Sequence, residues 1–319
     1  MTSSPSGSDA WIYRCACATT ALALLPIFFG AMTTTANAGL AFPNWPGSDQ
    51  YSMFGYPWLA LLTDIGTNRE SYDKFLEHGH RLGGALIGVV AIVLTVLCWV
   101  KKPSRLLVIL STTVLLAVIA QGILGGFRVL ERLPSLAMLH GLFASIVFAL
   151  MAATASAASP RWQNPPTAQS VKQAKRVRWM ATVLFIYLIV QYALGGLIRH
   201  PAIGVRAPIS EHLGLGLLSL LVFGIVVISI VRTKIDWLSS SALMLIGLLT
   251  CQVVIGLLTY AAKFGVSSLG IVAVAESTAQ VVSRTAHMVT GVLVVGTAGV
   301  LLARSCRVEQ LTRSSTQTV

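Results

Sequence analysis

The sequence predicts an all-α integral membrane protein, with eight transmembrane helices in two pseudo-symmetric four-helix bundles. Three observations lead there. Of 319 residues, 55% are hydrophobic and only 11% are charged. Apolar stretches of about 20 residues recur, the length a helix needs to cross a bilayer. A unit of apolar helix, small-residue end, polar loop and histidine-headed helix occurs four times, the first copy being the weakest.

The spans are expected at 18–38, 80–100, 106–126, 136–157, 179–198, 212–231, 240–262 and 284–303. Helices are required because backbone polar groups facing lipid must be satisfied within the segment. At the start, Arg14, an apolar run and Ala36-Asn37-Ala38 resemble a cleavable signal peptide. The length of the run and its place in the repeat favour a retained span instead.

Basic residues set the orientation. Lys101, Lys102 and Arg105 lie in one short loop, and Arg161, Lys172, Lys175, Arg176 and Arg178 lie in the segment 158–178. Arg232 and Lys234 follow in the next loop on that side, and Arg304, Arg307 and Arg313 in the tail. The positive-inside rule places these loops and both termini in the cytoplasm. Loops around 39–79, 127–135, 199–211 and 263–283 then face out. The net charge of +12 is explained by this topology, so lipid is the expected partner and nucleic acid is not. A multi-pass protein of a bacterial cytoplasmic membrane is expected.

The repeat divides the chain. Gln121-Gly-Ile-Leu-Gly125, Gln191-Tyr-Ala-Leu-Gly195 and Gln252-Val-Val-Ile-Gly256 close three of the odd-numbered spans, and Pro26-Ile-Phe-Phe-Gly30 closes the first. Each precedes an outer loop and a histidine-headed span. The expected units are an N-terminal bundle, 1–157, a linker, 158–178, containing Pro160, Pro165 and Pro166, and a C-terminal bundle, 179–319. The glycines permit close approach of backbones or of a flat ligand. The three glutamines suit hydrogen bonds across helices or to a buried ligand.

His80, His140, His212 and His287 occupy equivalent places in the repeat. Ionisable rings at the membrane edge mark functional sites. Paired by bundle, His80 with His140 and His212 with His287, they make two sets of axial ligands, as two haems require. Zinc sites gather three or four ligands, whereas these come in twos. His78 and His200 read as solvent-side. Glu77 shares a helix face with His80, suited to proton transfer or to stabilising positive charge; the plainer reading is a surface acid paired with Arg81. Glu211 adjoins His212 on another face. Arg81, Arg128, Arg199 and Arg284 gather near the outer ends, where haem propionates would suit them. Cys15, Cys17, Cys98, Cys251 and Cys306 avoid the outer loops, so no disulfide is expected there.

Several of these motifs together resemble the haem A synthase family. They are Glu77-His-Gly-His-Arg-Leu-Gly-Gly84, Gln121-Gly-Ile-Leu-Gly-Gly126 with His140, Gln191-Tyr-Ala-Leu-Gly-Gly-Leu-Ile-Arg-His200 followed by His212, and Phe42-Pro-Asn-Trp-Pro46. The resemblance implies oxidation of the ring methyl of haem O to the formyl group of haem A, for cytochrome oxidase. It implies a resident haem b on His212 and His287, the substrate haem O between His80 and His140, and Glu77 as the catalytic residue. A haem O synthase, an electron-transfer partner and oxidase assembly factors are the implied partners. The chain departs from the family in two places. Ala38 to Tyr51 lacks the loop cysteine pair of many members, and Thr33-Thr-Thr35 stands where arginine is common. Two other functions use the same four histidines: a quinone-linked di-haem b electron carrier, and a non-catalytic haem chaperone.

Overall fold

The computed structural model describes residues 7–201 and 206–317. Residues 202–205 of the 199–211 loop, and the extreme ends of the two expected bundles, 1–6 and 318–319, lie outside the described residues. Eight helical segments are long and apolar enough to cross a membrane, and the described residues contain isolated β-bridges but no strand. The protein is an all-α integral membrane protein. Its first span joins α1 (Gly7–Leu22) to α2 (Leu24–Thr35). Pro26 has no amide hydrogen to give the Leu22 carbonyl, which weakens the helix at that join.

The other spans are α3 (Arg69–Lys101), α4 (Arg105–Glu131), α5 (Pro134–Ala158), α7 (Val171–Arg199), α8 (Ile209–Val231), α9 (Asp236–Phe264) and α10 (Thr278–Gln317); the short α6 (Pro160–Gln163) lies between α5 and α7. Several helices outrun the apolar stretches that mark them. α3 starts at Arg69 rather than near 80, and α10 runs to Gln317 rather than to about 303. Hydropathy ends where hydrocarbon ends, but a helix ends where its free backbone groups find partners. The Asn68 side chain caps α3 by accepting from the amides of Glu70 and Ser71 at 3.0 and 3.4 Å. His80 and His287 therefore lie well inside their helices, rather than at the ends.

Buried side chains form two main clusters. One joins α7, α8, α9 and α10 around Phe223, Leu238, Leu245 and Leu301, and also takes in Ala149 of α5. The other joins Ala23, Ile87, Val114, Val147 and Phe148 with Val292 of α10. α10 thus belongs to both, and packs against α2 and α5 as well as α7 and α9. Its glycines make that approach possible. A methyl group at Gly296 would fall 2.6 Å from the Phe148 ring, and one at Gly299 3.0 Å from the Ala149 methyl. Away from the histidines, Arg304 donates to Ser156 Oγ at 3.1 Å, to the Trp237 carbonyl at 3.1 Å and to Ser241 Oγ at 2.7 Å, tying α5, α9 and α10 together.

Gly296→Val should overpack this contact and destabilise the protein by about 1–3 kcal/mol. Adding Phe148→Ala should recover part of the loss. Thermal unfolding in detergent measures both; a single variant as stable as the parent would contradict the close α5–α10 contact.

Candidate functional site

Each of the four histidine rings packs on a glycine of the span before it. A methyl group at Gly30 would fall 2.8 Å from the His80 ring, and one at Gly125 2.9 Å from that of His140. The same test gives 3.1 Å for Gly195 against His212 and 2.9 Å for Gly256 against His287. At Gly30, Gly125 and Gly256 a side chain would collide with the ring, and at Gly195 it would press on it. The glutamine one turn earlier fixes the neighbouring helix: Gln121 Nε2 donates to the His140 carbonyl at 3.0 Å, and Gln191 Nε2 to the His212 carbonyl at 2.6 Å. Gln252 Nε2 lies 3.4 Å from His287 Nε2. The glutamines thus bond across helices, while their Oε1 atoms are buried without partners.

The rings meet in pairs. The His80 and His140 centroids are 6.0 Å apart at an interplanar angle of 76°. Those of His212 and His287 are 6.1 Å apart at 89°. A metal bound at about 2 Å by one nitrogen of each ring would separate the centroids by roughly 6 Å, so both pairs fit a haem iron. His80 Nδ1 lies 2.7 Å from the Pro26 carbonyl. A carbonyl only accepts, so the proton sits on Nδ1 and Nε2 keeps its lone pair, the form that binds metal. His212 and His287 each leave a buried Nδ1 without a partner.

Both pairs line a single cavity of about 620 Å³. Gly84, Gly88 and Gly122 are on its wall, and a methyl group at any of them would meet open space. Glu77 is the one acidic residue on the wall among the described residues. It is buried: Arg81 Nη2 donates to its Oε1 at 2.6 Å, and the Ala41 amide to its Oε2 at 2.7 Å. The Arg81 partner expected of a surface acid is present, but the pair is enclosed. Arg81 also donates to the Asn44 carbonyl at 3.0 Å and to that of Gly47, and lies over the Phe42 ring. The Phe42-Pro-Asn-Trp-Pro46 stretch is thereby drawn onto α3, and Trp45 packs on Gly126 of α4.

Two expectations need correction. His78 is 0% exposed rather than solvent-side. The segment before α3 folds over it: Nδ1 is 2.9 Å from Ser48 Oγ, and the Tyr56 ring lies 4.7 Å away. The helical period turns His78 away from His80 correctly, but a loop covers that face. His200 is half-buried and lines the cavity. Arg128, Arg199, Arg284 and Lys263 line it as well. Tyr192, the second residue of the Gln191–Gly195 motif, also lines it and packs beside Gly291 of α10, whereas Lys263 carried no recognisable motif in the sequence. Glu211 is exposed and pairs with Arg206, away from this wall. All five cysteines are free.

Burial, and then the charges of Arg199, Arg128 and Arg284, push the His200 ring down from 6.5 to about 4. Its proton is bound by the unfolded chain at a higher pH than by the folded one. Stability from this residue is therefore present above about pH 6.5 and falls as the pH drops toward 4. Histidine ¹³C NMR, with His200→Gln identifying the signal, should find the ring neutral at pH 6; a midpoint near 6.5 would contradict the buried, cationic surroundings.

Compared with known families, residues 13–209 match the model of COX15-CtaA, described as cytochrome oxidase assembly protein. The match spans more than half of the 319 residues and contains Glu77, His80 and His140; it ends before His212. No curated protein matches the chain.

Proposed function

The chain belongs to the haem A synthase family of cytochrome oxidase assembly proteins, and on that premise we propose that it oxidises the ring methyl of haem O to the formyl group of haem A. The observation that carries this reading is an asymmetry. Two histidine pairs have the spacing of axial ligands, but among the described residues only the His80–His140 pair has a carboxylate, Glu77, on the cavity wall beside it.

In this reading haem O is the substrate held between His80 and His140, and His212 and His287 hold a resident haem b. When bound, haem b supplies one-electron transfer to the substrate site. The protein's own groups do the rest. The Pro26 carbonyl orients His80 through Nδ1, leaving Nε2 toward the ligand. Gln121 holds α5 at His140. Arg81 and the Ala41 amide fix the Glu77 carboxylate, which takes up protons as the methyl carbon, gaining its oxygen from water, gives up four protons and four electrons overall to reach the aldehyde, the electrons passing on to the electron-transfer partner. The open faces at Gly84, Gly88 and Gly122 leave room for a bulky flat ligand with a hydrocarbon tail.

The wider assignment follows the same logic. Residues 1–157 form the substrate half and 179–319 the cofactor half, joined by 158–178. The basic loops and both termini lie in the cytoplasm of a bacterial cell, with the histidines toward the outer surface. A haem O synthase delivers substrate, an electron-transfer partner exchanges electrons with the protein, and oxidase assembly factors take up the product.

Co-expression with a haem O synthase, followed by mass analysis of extracted haem, should yield haem A. Folded, haem-loaded protein that leaves haem O unchanged would leave only a carrier or a chaperone. Glu77→Ala should lower haem A by roughly 10²-fold or more and accumulate haem O or a partly oxidised product. His212→Ala should remove the bis-imidazole spectrum of the resident haem, whereas His80→Ala should leave that spectrum in place.

A further inference from the structure

Arg128 of α4, Arg199 of α7, Lys263 of α9 and Arg284 of α10 all face the one cavity that both histidine pairs line. Among the described residues none of the four forms an ion pair. Glu77, the only acid on the wall among the described residues, is already engaged by Arg81. What the guanidiniums do touch is weak. Arg199 Nη2 reaches the Ala31 carbonyl at 3.3 Å and Arg284 Nη1 the Thr35 carbonyl at 3.4 Å, while Arg199 Nε is buried with no partner. All four residues are half-buried; a cation drawn out of water without a counter-charge is costly, and four facing one space call for an anion.

We propose that Arg128, Arg199, Lys263 and Arg284 form one carboxylate-binding platform, shared by the two histidine-pair sites, which holds the propionates of the porphyrins bound there. The inference rests on the haem reading above and adds to it the means by which the anionic edge of each ring is held. Carboxylate fits the donors: a guanidinium binds it through two parallel hydrogen bonds, and an ammonium adds a point charge. The platform draws on both sides of the 158–178 segment, with Arg128 before it and the other three after. Ligands at the two pairs therefore share counter-charges.

The test uses the full chain, purified free of haem in neutral detergent and titrated with haem b or with its dimethyl ester, which has the same iron and ring but no carboxylates. The Soret band follows binding. Wild type should bind haem b roughly tenfold or more tighter than the ester. Arg199→Gln and Arg284→Gln should each weaken haem b by a similar factor and leave the ester unchanged; Arg206→Gln, away from the cavity, should change neither. Equal affinity of wild type for the two ligands overturns the platform. So does an equal loss for both ligands in the arginine variants, which would mean the arginines only support the fold. Competition by phosphatidylglycerol micelles would assign the cations to lipid headgroups and also overturn it. Failure of wild type to bind either ligand overturns the haem reading itself.

Discussion

The site depends on one contact, an imidazole ring laid against a helix that has a glycine at that point. At Gly30, Gly125 and Gly256 a single methyl group would collide with the ring, and at Gly195 it would crowd it. The contact sets how deep each histidine sits and how near its helix comes to its neighbour. With that depth fixed four times, the rings face each other in two pairs at 6.0 and 6.1 Å. At His80 the Pro26 carbonyl beside the glycine fixes the tautomer as well. Packing and ligand chemistry are thus set by the same few atoms.

One face of α3 organises everything that sits over the first pair. Glu77, His78 and Arg81 each bind a different part of the preceding segment: the Ala41 amide, Ser48 Oγ, and the Asn44 and Gly47 carbonyls. Lys74 adds an ion pair to Asp49 at 3.0 Å. No cysteine stands in this segment between Ala38 and Tyr51. Here the segment is held by a buried ion pair and hydrogen bonds to backbone. An enclosed Glu77–Arg81 pair of this kind is costly to break from one side, because the surviving charge stays buried. The carboxylate proposed to handle protons is therefore also a strut of the wall around it.

Much of this could be read from the sequence, for physical reasons. A bilayer demands long apolar helices, so eight spans show in hydropathy. The histidines stand out because their slots recur, each with a glycine before the outer loop and, in three of the four, a glutamine four residues ahead of it. Glu77 and Arg81 lie four apart on a helix, so their pairing was visible, but its burial was not. Burial of His78 depends on Ser48 and Tyr56, residues in a loop whose path no periodicity reveals. Arg199 and Arg284 reach backbone carbonyls of the first span, and a carbonyl has no sequence signature. The true length of α3 rests on the Asn68 cap, which lies beyond the hydrophobic signal.

α10 carries His287 at one level, and below it the glycines that let it lie directly on α5. Phe148 fills the space at Gly296, and α5 carries His140. Close-packed surfaces of this kind do not slide by small amounts without repacking. The two helices act mechanically as one beam with a histidine on each side, so a displacement of one ring is felt as a displacement of the other.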